Sequence, residues 1–115
     1  MIHLSTMAPA VKTHRALLNA LQTATPKLRK AIIKESDKAL IYAICEICEN
    51  LLLGNIPLTE DQKKKLKSYR AQLRRLAQRG EGWQKKKDVV LQRGGAFLPL
   101  LLSVVSSILP SLLAS

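Results

Sequence analysis

The twenty residues from Ala96 to Ser115 contain no charged side chain, and this segment constrains the fold more than any other part of the chain. As a helix it would rise ~30 Å, enough to cross a bilayer, whereas in a folded protein it must find an apolar groove or core. Gly94-Gly95 joins it to a strongly cationic stretch. The chain therefore combines a segment suited to polyanions with one suited to lipid or to an apolar protein surface.

Charge is unevenly distributed along the 115 residues, whose net charge is +11. Residues 1–58 carry seven Lys and Arg against four Asp and Glu, residues 59–95 carry twelve against four, and the remainder carries none. A concentrated cationic block raises the local potential and attracts phosphate-rich partners. Nucleic acid or an anionic lipid surface is therefore the expected partner of residues 59–95.

Helical periodicity predicts an all-α protein of three to four helices, with a basic helix or arm and a hydrophobic helical tail. We expect four parts along the chain. They are a weakly helical N-terminal segment (1–25), a helical core domain that includes the basic helix (26–80), a basic linker or arm with the double glycine (81–95) and the hydrophobic tail (96–115). Within the first part, a weak helix is expected from Val11 to Ala24.

The strongest helical pattern runs from Asp37 to Leu53 and predicts the core helix. Its apolar face consists of residues at helical spacing: Leu40, Ile41, Ile44, Cys45, Ile47, Cys48, Leu51 and Leu52. The opposite, polar face is expected to carry Tyr42, Glu46, Glu49 and Asn50.

Three local motifs predict where helices begin and end. Thr25 is placed as an N-cap with Pro26 at the first helical position of a short helix. Gly54 supplies a left-handed stop to the core helix. Thr59 and Gln62 form a capping box, which opens the next helix.

That next helix is predicted from Glu60 to Arg79, where glycines end it. A narrow stripe formed by Leu66, Tyr69, Leu73 and Leu76 is expected to pack, and cations fill the remaining circumference. Whether the following segment, residues 83–92, is a short helix or an extended arm stays open. The predicted nucleic-acid-binding residues are the cations of this helix and arm: Lys63, Lys64, Lys65, Lys67, Arg70, Arg74, Arg75, Arg79, Lys85, Lys86, Lys87 and Arg93. Aromatic residues are not interleaved with them, so binding is expected through phosphates and not through base stacking.

The motif Cys45-Glu46-Ile47-Cys48 is a C-x-x-C without the further ligands that a zinc site needs. It lies in the middle of a predicted helix, whereas a redox motif needs a helix N-terminus to lower its thiol pKa. We therefore expect two buried, structural cysteines and no metal. No catalytic constellation or phosphate-binding glycine loop is present, so neither an enzyme nor a cofactor is expected.

Several placements of the tail remain open: a transmembrane span, an interfacial membrane-disrupting helix, docking in a protein shell, or packing on its own domain. Pro99, Pro110 and several serines make a conventional span the less favoured of these. The residues predicted to contact a membrane or capsid protein are the large apolar residues of the tail: Phe97, Leu100, Leu101, Val104, Val105, Ile108 and Leu112.

The junction Gln92-Arg93-Gly94-Gly95-Ala96-Phe97-Leu98-Pro99-Leu100-Leu101-Leu102 resembles the precursor of adenovirus core protein X, in which an arginine-rich stretch meets Arg-Gly-Gly and an apolar tail. From residue 28 onward, the succession of segments 28–30, 54–59, 62–67 and 92–99 resembles the X-like proteins of adintoviruses and related Maverick/Polinton elements.

The resemblance implies a virion core or minor capsid protein that condenses packaged double-stranded DNA, located in the virion and, during assembly, in the host nucleus. It also implies processing by an adenovirus-like cysteine protease, with Gly94, Gly95 and Ala96 as the candidate cleavage residues. Such proteases prefer a large aliphatic residue or Met where this chain has Gln92.

Our first hypothesis is accordingly a virion protein that binds DNA non-specifically through its basic helix and uses its tail for capsid docking or membrane perturbation. The alternative is a membrane-anchored adaptor whose juxtamembrane basic patch binds anionic lipid. A third possibility is a small helical DNA-architectural protein with a core-packed tail.

Overall fold

The computed structural model describes residues 13–78 and 80–114, and for residues 93–96 and 107–114 it describes the backbone alone. The regular structure of these residues is helical throughout, which confirms the all-α class. The helices are α1 (Arg15–Thr23), α2 (Pro26–Lys34), α3 (Lys38–Leu52), α4 (Glu60–Lys67), α5 (Arg70–Ala77) and α6 (Trp83–Ala114). Their number exceeds the three to four expected, in part because the basic helix is divided.

The three predicted local motifs are present at the starts of α2 and α4 and at the end of α3. The Thr25 hydroxyl accepts a bond from the Leu28 amide at 3.2 Å, with Pro26 at the first position of α2. At the start of α4, the Thr59 hydroxyl accepts from the Gln62 amide, and the Gln62 side chain accepts from the Thr59 amide, at 3.1 and 3.0 Å. Gly54 adopts a φ of +76° after α3, where other residues would be strained.

Helix α3 lies in the centre of the core and packs against α5 and α6. Two of its residues lie on the side opposite to that predicted: Leu52 is 38% exposed and Asn50 only 4%. The side-chain amide of Asn50 donates through Nδ2 to the Glu46 backbone carbonyl at 2.8 Å. Its Oδ1 accepts from Nδ2 of Asn55 at 3.1 Å. These bonds satisfy the buried amide, so a polar residue can enter the core at the end of α3.

The basic helix predicted from Glu60 to Arg79 is interrupted at Ser68 and Tyr69, which corrects the sequence prediction. The Ser68 hydroxyl donates to the Lys65 carbonyl at 2.9 Å, and the Tyr69 amide donates to the Leu66 carbonyl at 2.9 Å. The second bond spans only three residues and tightens the last turn of α4. The resulting turn places the Tyr69 ring 5.8 Å from that of Phe97.

Helix α6 is sharply bent between Gln92 and Phe97, and its halves Trp83–Gln92 and Phe97–Ser106 meet at 106°. The first half buries Val89 and Val90, so of the two possibilities left open for this segment it is the packed helix and not the arm. In the described part of the chain no single helix has both the length and the apolarity to cross a bilayer. The two halves of α6 reach that length and composition only together, across their bend.

The described half of the hydrophobic tail belongs to the core. One continuous apolar cluster extends from Leu18 on α1 to Val105 on α6, and it includes buried residues of every helix between them. The predicted tail therefore packs on its own domain and does not stand apart from it. Burial of apolar surface stabilises by ~25 cal/mol per Å², and the grooves between the other helices provide that burial without a second partner.

Two polar contacts attach α1 to the rest of the fold. The guanidinium of Arg29 is buried and donates to the carbonyls of Leu21 and Ala24, at 2.8 and 2.9 Å. These carbonyls lie at the C-terminal end of α1 and have no partners within the helix, so the arginine satisfies them. On the other side, the Ser106 hydroxyl of α6 donates to the Gln22 side chain at 2.6 Å.

Candidate polyanion-binding surface

The surface formed by α4 and α5 is dominated by exposed cations. Leu66, Leu73 and Leu76 are buried, so the predicted apolar stripe does pack and leaves the charged circumference of both helices toward solvent. The exposed cations are Lys63, Lys64, Lys65, Lys67, Arg70, Arg74 and Arg75. We call these seven residues the basic surface.

Three of the seven have acidic partners, which is more than the charge pattern indicated. The pairs are Lys63–Glu60 at 3.5 Å, Lys65–Asp61 at 3.0 Å and Arg75–Glu81 at 3.3 Å. The Glu60 and Asp61 side chains are 92% and 72% exposed, and such solvated pairs typically contribute less than about 1 kcal/mol. A phosphate can therefore replace these carboxylates at little cost.

The other four cations have no ion-pair partner among the described residues. They are Lys64, Lys67, Arg70 and Arg74. Three of them, Lys64, Lys67 and Arg74, lie in the last turn of their helix, where positive charge also stabilises the negative end of the helix dipole. The remaining repulsion among neighbouring cations is uncompensated in the isolated chain, and a polyanion would relieve it.

The cations of α6 are placed differently from one another. Lys85 is exposed, so it remains a predicted phosphate contact. Lys87 is half-buried: its ammonium donates to the Ser36 carbonyl at 2.9 Å and lies 5.7 Å from the centre of the Trp83 ring. It therefore fastens α6 to the α2–α3 connection and has less capacity for phosphate. Arg79 and the side chain of Arg93 lie outside the described residues.

Lys86 is not part of the basic surface, because it is only 6% exposed. It lines a cavity together with Glu46, Glu49 and Glu81, and acidic residues nearby offset the cost of burying an ammonium. The sequence held a signal for this placement. Trp83, Lys86 and Val90 follow a 3,4 spacing, which puts the lysine on the packed face of the helix.

The residues predicted to contact a membrane or capsid are largely enclosed in this fold. Four of them are fully buried, Leu100 is partly buried, and the side chains of Ile108 and Leu112 lie outside the described residues. The four buried residues are Phe97, Leu101, Val104 and Val105. In the folded chain these four side chains are not available to lipid or to a capsid protein.

The candidate cleavage residues Gly94, Gly95 and Ala96 fall within the bend of α6, where the backbone is helical. The Ala96 side chain lies outside the described part of the structure. Proteases bind extended substrates, so cleavage here would require local opening of the helix. Processing at this site stays a prediction.

Both cysteines are free and buried within α3. Burial raises the pKa of Cys45 to about 11, an effect that the nearby Lys86 ammonium only partly opposes. Burial raises the pKa of Cys48 further, with a smaller contribution from Cys45. Both thiols are therefore protonated at neutral pH and weakly nucleophilic. Among the described residues, no group of three His, Cys, Asp or Glu side chains is arranged to hold a metal ion.

Replacing Cys45 and Cys48 together by alanine should lower the free energy of unfolding by about 1–2 kcal/mol near neutral pH, because packing is lost. The loss should shrink in alkali. Unfolded thiols ionise near 9.0 and the folded Cys45 thiol only near 11, so the wild-type protein loses stability across that interval while the variant does not. Urea unfolding at about pH 7.5 and about pH 10 checks this, and an equal difference at both values would contradict it.

Comparison with known proteins assigns no family, since neither a scan against models of protein families nor searches of curated proteins and solved structures find a match. The function of the chain must therefore be inferred from its own surface and sequence.

Proposed function

We propose that this protein binds double-stranded DNA without sequence preference, through the basic surface of α4 and α5, as a core or minor capsid component of a virion. The observation that carries the proposal is the set of four exposed cations with no acidic partner among the described residues. Lysine and arginine that neutralise phosphates release condensed counterions, and this supplies most of the affinity in non-specific DNA binding. Such contacts position a protein on the duplex without reading its bases.

The positions of the aromatic residues favour binding to duplex DNA through its phosphates over binding to single-stranded DNA through stacked bases. A single-strand platform needs exposed rings beside the cations, onto which successive bases stack. Tyr69 is half-buried against Phe97, and Trp83 is half-buried beside Lys87. Tyr42 is exposed, but it lies on α3 and not on the helices that carry the basic surface.

The tail supports DNA over anionic lipid as the partner. A membrane-anchored adaptor would need residues 97–106 in the bilayer, whereas Phe97 and Leu101 are packed in the core. The association with a virion is suggested by the resemblance of the basic and Gly-Gly segments to viral core proteins. The burial of the tail agrees with the third possibility, a DNA-architectural protein with a core-packed tail.

The proposal is tested by a salt titration of binding to two fluorescent duplexes of unrelated sequence. We expect equal affinities at each salt concentration, and a log–log slope steeper than about −3.6, the value for four phosphate contacts at ~0.9 each. A slope near zero, or a preference of more than about tenfold for one duplex, would contradict non-specific phosphate binding. Single-stranded DNA of the same length is the control for a stacking mode, and tighter binding to it would favour that mode.

A further inference from the structure

An apolar groove with a cavity volume of about 360 Å³ opens beside the basic surface, between the end of α3 and the start of α5. It is lined by the buried Leu51, Leu66 and Leu73, the half-buried Leu58 and the exposed Leu52. We call the first four leucines its floor and Leu52 its mouth. Asn50 and Asn55 are hydrogen-bonded to each other and hold the α3–α4 connection that forms one wall. The groove therefore lies in a part of the structure whose connecting segment is held by hydrogen bonds.

In the described part of the chain, the charged lining of the groove consists of three cations. Lys63 and Lys67 lie four residues apart and so project from the same side of α4, and Arg70 begins α5. Among the described residues no acidic side chain lines the groove, although Lys63 contacts the exposed Glu60. An occupant of this groove would meet an apolar floor and three positive charges.

We infer that this groove binds an acidic amphipathic helix of a partner protein, with apolar side chains on the leucine floor and carboxylates paired with the cationic side. DNA is a poor occupant of the floor, because the deoxyribose groups of its backbone are small and lie beside charged phosphates, and they offer little apolar surface to bury. A fatty acid would bring one carboxylate to three cations. A helix with apolar residues at every third or fourth position and acidic residues beside them supplies both components at the required spacing.

Substitution of Leu52 can distinguish binding in the groove from binding to the rest of the surface. It is 38% exposed at the mouth, so an incoming apolar side chain would cover it. The adjacent Leu53 is 54% exposed but does not line the groove. The chain therefore offers two neighbouring exposed leucines, one inside the proposed site and one outside it.

The groove shares Lys63, Lys67 and Arg70 with the basic surface, so the partner helix and DNA should compete for them. This competition would let an acidic partner displace this end of the protein from a duplex, or keep it from DNA before packaging. The leucine floor belongs to the groove alone, so the two binding modes can be separated by substitution.

The test uses a fluorescein-labelled peptide with leucines at helical spacing flanked by glutamates, and a scrambled peptide of identical composition. Fluorescence anisotropy with the full chain should show binding of the first peptide and at least tenfold weaker binding of the scramble. Leu52→Gln should weaken binding of the amphipathic peptide by about fivefold to tenfold, because the partner loses apolar contact at the mouth. Leu53→Gln should leave it unchanged, and unlabelled duplex should displace the peptide from the wild-type protein.

Both variants keep the net charge, so their affinities for duplex DNA should equal that of the wild type. Equal binding of the two peptides would show that charge alone attracts them and would overturn the proposal. It would also be overturned by equal effects of Leu52→Gln and Leu53→Gln, or by binding of laurate without binding of the peptide. The proposed DNA function is untouched by these outcomes, since it is measured with the duplex.

Discussion

Replacing Lys64, Lys67, Arg70 and Arg74 together by glutamine is expected to weaken binding to duplex DNA by more than about a hundredfold at moderate salt. Each lost phosphate contact lowers the magnitude of the log–log salt slope by ~0.9, so the slope should fall by about 3.6 if all four contact phosphate. These four are chosen because no described acidic residue pairs with them, and their positive charge is therefore fully available to the duplex. Fluorescence anisotropy across a salt series measures both quantities.

A charge-matched control comes from another part of the molecule. The matching residues are also exposed, but they lie on α2 and at the start of α3: Lys27, Lys30, Lys34 and Lys38. Their replacement by glutamine lowers the net charge of +11 by the same four units. If the two variants lose affinity equally, binding depends on overall charge, and the basic surface has no special role.

Leu101→Asp is expected to abolish the cooperative fold. The Leu101 side chain is fully buried in the second half of α6, and a carboxylate there would lie within the apolar cluster. Effects above about 4 kcal/mol are typical of this kind of change, and a domain of this size has only about 5–15 kcal/mol of stability to lose. Circular dichroism during thermal unfolding should show a non-cooperative or strongly lowered transition.

Leu53→Asp is the matched control, because it makes the same chemical change at an exposed leucine. Leu53 caps the C-terminal end of α3, where a carboxylate is unfavourable, so the effect of this substitution on stability should be a loss of no more than about 1 kcal/mol. A Leu101→Asp protein that unfolds like Leu53→Asp would show that residues 97–106 are peripheral. Contact of the tail with a membrane or a capsid protein would then again be the better explanation of its apolar sequence.

Local chemistry made the individual helices predictable. The N-caps at Thr25 and Thr59 and the left-handed Gly54 are read from side chains that act on their own backbone neighbours, so no tertiary contact is needed to foresee them. The pattern of α3 was equally clear, because its apolar residues recur over four turns. Leu66, Leu73 and Leu76 were assigned correctly to the packed side for the same reason.

The features that the sequence did not predict depend on contacts with residues that are distant along the chain. An uncharged apolar segment is compatible with lipid, with a partner and with its own core, because the hydrophobic effect has no direction. The division at Ser68 and Tyr69 contains neither glycine nor proline, and it is accompanied by the contact between the Tyr69 and Phe97 rings. The burial of Arg29 likewise depends on carbonyls of the preceding helix, which no pattern within α2 reveals.

The position of residues 97–106 has a consequence for the synthesis of this protein. Helix α6 contacts every one of the helices α1 to α5, yet its second half follows all of them along the chain. While the ribosome is still translating the basic segment, residues 97–106 are not yet present to cover the apolar faces of α1 to α3. At the same stage the cations of α4 and α5 are close to ribosomal RNA, which is itself a polyanion. Folding is therefore expected to be completed only after residues 97–106 have left the ribosome, so a nascent chain stalled at the double glycine should be bound by chaperones and cleaved readily by added protease.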